Sequence, residues 1–166
     1  MAEALWGNFV EVLQQTLDLY RALLRLSTYK REVLIAADAP VLEQLTRQEE
    51  LLVLQVAKME PIRKGIQSQL AGMYAISPEE LTLSKAVVLA PGPVADRLIT
   101  IGKEFEGVSG ELMPLNRSNA RLIEQALTFV NYTVNLLTRN MAAPTYAPQG
   151  QAGQSAAVRS TIDQKA

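Results

Sequence analysis

From Val94 to Leu136 the apolar side chains fall at alternating steps of four and three: Val94, Leu98, Ile101, Phe105, Val108, Leu112, Leu115, Asn119, Leu122, Ala126, Phe129, Thr133 and Leu136. All of these except Asn119 and Thr133 are apolar. A 3.5-residue repeat kept up this long holds one stripe of a helix against one neighbour, which is the pattern of a coiled coil or helical bundle. At 1.5 Å per residue, a helix from Val94 to Thr138 is about 65 Å long, so the expected molecule is elongated. Gly107 and Gly110 each cost ~1 kcal/mol relative to alanine inside a helix, and Pro114 ~3 kcal/mol. Together they predict a bend between Gly110 and Pro114.

The preceding sequence supplies the neighbours. From Leu5 to about Ala37, Leu5, Phe9, Val12, Leu19, Leu23, Leu26 and Val33 form one stripe, and Val10, Leu13, Leu17, Tyr20, Leu24 and Leu34 the adjacent one. This is a long amphipathic helix. In "ADAP", Asp38 is the expected N-cap and Pro40 a first-turn residue of a second helix, which makes the pair an antiparallel hairpin. The second helix carries Leu42, Leu45, Leu52, Val56, Met59, Ile66, Leu70 and Met73, with Glu49 and Arg63 as polar members of the same seam. Pro61 removes a backbone donor and predicts a kink or break. "SPEE" has the form of a capping box with proline at the first helical position, starting a short helix that runs from Ser77 towards Val88. Pro91 and Pro93 then end it. The expected fold is all-α, an elongated antiparallel bundle of three long helices plus one short one, with helices near 3–37, 40–75, 78–88 and 94–139. The bundle occupies 1–140. From 141 to 166, "MAAPTYAPQGQAGQSAAVRSTIDQKA" has almost no large apolar residue and reads as a flexible, disordered tail.

Composition narrows the function. The 166 residues contain no cysteine and no histidine, which removes disulfides, thiolate nucleophiles, sulfur-ligated metals and the commonest general base together. A net charge of -1 provides no field to draw nucleic acid or an anionic membrane, so the expected partner is a protein. The start of the chain lacks a basic region before its apolar residues, and no stretch is apolar for ~18 residues, so neither a secretory signal nor a membrane span is expected. The cytoplasm is the default compartment. Glu49/Glu50 and Glu79/Glu80 are sequence neighbours that point to different faces of a helix, a poor acid and base pair. Lys58, Arg63 and Lys64 lack interleaved aromatics or glycines and read as a charged face. No glycine-rich phosphate loop is present. The expectation is a protein that is not an enzyme and takes no metal, nucleotide or other cofactor.

Two features in the third long helix remain. Asn119 occupies a seam position, where it either fixes register with a copy of itself or meets a polar group of the hairpin or water. From Leu122 onward each seam residue gains an apolar neighbour, giving a second stripe of Ile123, Leu127, Val130, Val134 and Leu137, with no charge between Gln125 and Thr138. Either both stripes are buried in a groove within the monomer, or the wide face receives another helix. Thr128, Val130, Asn131, Thr133, Val134 and Asn135 are indifferent helix formers, so the segment depends on what it packs against. A homo-oligomeric coiled-coil adapter is the competing reading of the same face.

The block "LNRSNARLIEQALTFVNYTVNLLT", followed by "TYAPQG" and the terminal "IDQKA", resembles the FlgN-type flagellar export chaperones, as does "SPEELTLSKAVVLAPGP" between the second and third long helices. The resemblance implies a cytoplasmic, all-helical chaperone, monomeric or weakly dimeric. It would hold hook-associated, hook-filament junction proteins by their C-terminal amphipathic helix and deliver them to the flagellar type III export apparatus. The positions it implies for receiving that client are Ile123, Leu127, Val130, Asn131, Val134, Asn135 and Leu137, with Tyr146 in the tail. Gly107, Gly110 and Pro114 depart from the charged, uninterrupted third helix usual in that family.

Overall fold

The computed structural model describes residues 2–142, with side-chain environments through 139. The tail expected over 141–166, including Tyr146, lies outside the described residues from 143 on. Among the described residues there are four α-helices, one 3-10 turn and no strand: α1 (Ala2–Ala36), α2 (Ala39–Met73), the 3-10 turn Pro78–Glu80, α3 (Leu83–Leu89) and α4 (Gly92–Ala142). The chain divides into two compact units, Met1–Thr128 and Phe129–Ala166.

Within the first unit, α1 buries Trp6, Phe9, Val10, Val12, Leu17, Leu23 and Val33. Its end is set by two 6→1 and 5→2 backbone bonds: the Asp38 amide donates to the Val33 carbonyl at 3.2 Å, and the Ala37 amide to that of Leu34 at 3.3 Å. This is a Schellman turn, which places Ala37 in the left-handed region at φ 55°. Asp38 then caps α2 by accepting from the Val41 amide at 3.2 Å, as its position in "ADAP" predicts. α1 and α2 run antiparallel: Lys30 pairs with Glu49 at 2.6 Å near the turn, and Trp6 Nε1 donates to the Tyr74 hydroxyl at 3.2 Å near the far end. Glu49, read as a polar member of the seam, is there to meet Lys30. Arg63, the other polar seam residue, bonds Glu60 and Gln67 on its own helix.

The expected break at Pro61 does not occur. α2 is uninterrupted from Ala39 to Met73, because a proline lacks only one donor and its neighbours on the helix retain theirs. The short helix expected over 78–88 is instead two pieces. Ser77 and Glu80 form the capping box, but the helix stops at Leu81, whose side chain is buried. Thr82 begins a new one by accepting from the Lys85 amide at 3.2 Å. Gln67 Nε2 donates to the carbonyls of Pro78 and Leu81 at 2.7 and 3.0 Å, which fixes this corner to α2. α3 lies so close to α4 that a Cβ on Gly102 would be 2.8 Å from Leu83 Cδ2. The core gathers Trp6, Phe9, Leu17, Leu70, Leu81, Ala86, Leu98 and Ile101 from α1, α2, α4 and the short elements between them.

Candidate functional site

α4 packs parallel to α1 within the first unit. The Tyr20 and Phe105 rings meet edge to face at 5.3 Å, Arg21 pairs with Glu104, and Ser27 Oγ donates to Asn116 Oδ1 at 2.8 Å. Asn119 Nδ2 donates to the Ser27 carbonyl at 2.9 Å, so the seam asparagine meets a polar group of the hairpin. Its Oδ1 is buried and makes no hydrogen bond. α1 ends at Ala36, and by this register Ala36 is level with about residues 125–128 of α4 at ~1.5 Å per residue in both helices.

That register explains where the seam of α4 stops being core. Leu98, Ile101, Leu112 and Asn119 are buried and Leu122 is half-buried, but Ala126 is exposed. A strict seven-residue repeat on a helix of 3.6 residues per turn drifts by ~20° per heptad. Between Val94 and Leu122 the seam has therefore turned ~80° away from the face it began on. Ile123, half-buried, now occupies the original azimuth. The doubled apolar width that begins at Leu122 is this handover between stripes, and Leu127, 58% exposed, comes where α1 has run out.

The second unit, as far as it is described, is the last part of α4. Phe129, Val130, Tyr132, Val134, Leu136 and Leu137 are all exposed, from 43% at Leu136 to 69% at Phe129. Phe129 and Leu136, expected as buried seam residues, are exposed; this corrects that expectation. At 100° per residue the apolar positions, with the half-buried Thr133, sweep about 200° of the helix circumference. A single helix–helix seam needs only about half of that. The threonines add to the apolar character: Thr133 Oγ1 donates to the Phe129 carbonyl and Thr138 Oγ1 to those of Val134 and Asn135, which turns the hydroxyls inward and leaves the methyls outward. Asn131 and Asn135 are exposed and carry the amides of the remaining sector. α4 also passes Gly107, Gly110 and Pro114 without interruption. Sequence reasoning named Val130, Asn131, Val134, Asn135 and Leu137 here. It missed the exposure of Phe129, Tyr132 and Leu136, although the absence of any charge among them was a visible signal.

Elsewhere among the described residues, no group of three acidic or histidine side chains converges to hold a metal, and no helix is long and apolar enough to cross a membrane. The largest electrostatic perturbation is at Glu60, whose carboxyl is pulled down to about 2 chiefly by hydrogen bonds from Arg63, against the opposing effect of desolvation. Glu80 is lowered by the amide and hydroxyl of Ser77 in the capping box. Both are ordinary helix-surface arrangements.

No curated protein and no solved structure matches this chain. The family described as FlgN protein matches residues 1–154, which includes all of the bundle and the exposed end of α4. With the family match spanning nearly its whole length, this chain belongs to the FlgN family.

Proposed function

We propose that this chaperone covers the C-terminal amphipathic helix of hook-associated, hook-filament junction proteins in the cytoplasm and delivers them to the flagellar type III export apparatus. The receiving face is the end of α4, with Val130, Asn131, Val134, Asn135 and Leu137 at its centre, Ile123 and Leu127 on the preceding turns, and Tyr146 contributing from the tail. The observation that carries this reading is the exposure of the apolar residues between Phe129 and Leu137. A helix of weak intrinsic propensity that leaves this much apolar surface in water is stabilised by gaining a neighbour, and contiguous apolar patches of this kind mark interaction sites. An amphipathic helix supplies that neighbour through anchors at i, i+3, i+4 and i+7, and its own apolar face is withdrawn from self-association in the process. No covalent step is involved.

A double substitution, Val130→Asp with Val134→Asp, tests it. In the free protein both carboxylates reach water, so helicity and melting temperature stay close to those of the parent. In the complex they are held against apolar surface, and desolvating unpaired charges costs several kcal/mol, which weakens binding by at least ~100-fold. Capture of a hook-associated protein's C-terminal fragment should be lost. Unchanged capture by the folded variant would place the client elsewhere.

A further inference from the structure

The glycines of α4 differ in what surrounds them. At Gly102 a Cβ would lie 2.8 Å from Leu83 Cδ2, so the close approach of α3 accounts for glycine there. At Gly107 and Gly110 a Cβ would meet nothing within 4 Å. Packing leaves both positions free to carry a side chain, and each glycine weakens the helix about fivefold relative to alanine. Pro114 follows, without the amide that would donate to the Gly110 carbonyl. Beyond this stretch the hold on α1 changes as well. The α4 residues that form the central core or pack against it lie between Val94 and Val108. After Pro114, Asn119 is the only buried residue among those described, and Leu115, Leu122 and Ile123 are half-buried. The hydrogen bonds to α1 there run through Ser27, Asn116 and Asn119, and they leave Asn119 Oδ1 buried without a partner. Water meets that acceptor once the segment lifts away, so it favours separation.

We propose that α4 beyond Gly110–Pro114 is an arm whose docking on α1 sets the affinity for client, with Leu115, Asn119 and the Gly107–Pro114 joint acting as positioning residues for the receiving face. This rests on the reading of the α4 end as the client site. The receiving residues lie further along the same continuous helix. Thr128, Asn131, Thr133 and Asn135 are indifferent helix formers, so away from α1 the arm does not hold its turns. Undocking therefore melts the receiving face with the arm. An amphipathic helix finds its anchors only on the docked form, and its apparent dissociation constant rises in inverse proportion to the docked fraction. By reciprocity, bound client holds the arm on α1. Affinity is then governed partly by residues that touch no client.

Amide exchange on the free, full chain is the first test. Residues 115–128 should exchange through one shared opening at least ~10-fold faster than Leu98–Phe105, with the step at Gly110–Pro114. Gly107→Ala combined with Gly110→Ala should slow that block about tenfold or more and leave Leu98–Phe105 unchanged. The second test is capture of a hook-associated protein's C-terminal fragment by Leu115→Asp. This variant should lose the protection of residues 115–128 and bind at least ~10-fold more weakly, and adding the two alanines should restore part of both. Protection of residues 115–128 equal to that of Leu98–Phe105 would overturn the proposal, as would a smooth decline back from Thr138, which is ordinary fraying. So would unchanged capture by Leu115→Asp with the block unprotected; capture by the parent would then leave the client reading standing. A parent that captures no fragment while the block opens would sink the client reading and the coupling with it. If Leu115→Asp also loosens Leu98–Phe105, the alanine pair decides, and unchanged exchange of the block in that variant overturns the proposal.

Discussion

Ala37 and Ala75 both end long helices in the left-handed region, at φ 55° and 53°, in turns closed by the same pair of backbone bonds. A Cβ there costs ~1–2 kcal/mol, and glycine avoids it while losing ~0.5–1 kcal/mol to a more flexible unfolded chain. Ala37→Gly should therefore stabilise by ~0.5 kcal/mol, read as a higher urea midpoint at unchanged slope. Asn119 presents the opposite case, a buried acceptor without a partner. Asn119→Leu removes that acceptor, and Ser27 keeps its carbonyl's helical bond, so a gain of ~1 kcal/mol in urea unfolding is expected. Glu60 sets the acid response. Its pKa falls from 4.5 to about 2 on folding, so its contribution is present above pH 4.5 and is lost as the pH falls towards 2. The carboxylate is half exposed, which limits the effect to below ~1 kcal/mol. A Glu60→Gln variant should be less stable than the parent at pH 6, and the gap should close by pH 2 in a melting series.

At the scale of elements, the helices were legible because apolar spacing, caps and hairpin length all agreed. Every stripe residue named in α1 is buried or half-buried. Asp38 and Ser77 cap where their local sequences say they do. Pro61 was read as a kink or a break and Gly110 to Pro114 as a bend; α2 and α4 are both continuous through their prolines, because propensity is a weak prior against tertiary packing along a whole face. Pro114 lacks the amide that would donate to the carbonyl of Gly110 four residues back. The cost it retains is recoverable: Pro114→Ala should stabilise by ~2 kcal/mol, measured by denaturant unfolding. The seam of α4 was legible as far as Leu122. Beyond it the periodicity continues but its partner does not, since register against α1 and the end of α1 at Ala36 are tertiary facts that no spacing within α4 records. Trp6, the largest fully buried side chain of the first helix, escaped the stripe count altogether. Its bond to Tyr74 joins residues 68 apart, a distance that no local pattern spans.

At the scale of the whole molecule, the two units differ in how much of their apolar surface is buried. The first unit has a core of interlocked aromatic and aliphatic side chains, and two of its polar seam residues, Glu49 and Asn119, are paired across helices. The second carries apolar residues in water, threonines folded onto their own backbone, and no charge before Arg139. In the proposed reading, the binding free energy is drawn from apolar area that the end of α4 leaves exposed in the free protein. Amide hydrogen exchange with and without the C-terminal fragment of a hook-associated protein measures this directly. Exchange should slow at least tenfold within Leu122–Thr138 when the fragment binds, while α1 and α2 change little. Binding that leaves Leu122–Thr138 exchanging as before, or that slows α1 and α2 in its place, would contradict the assignment of the α4 end as the client site.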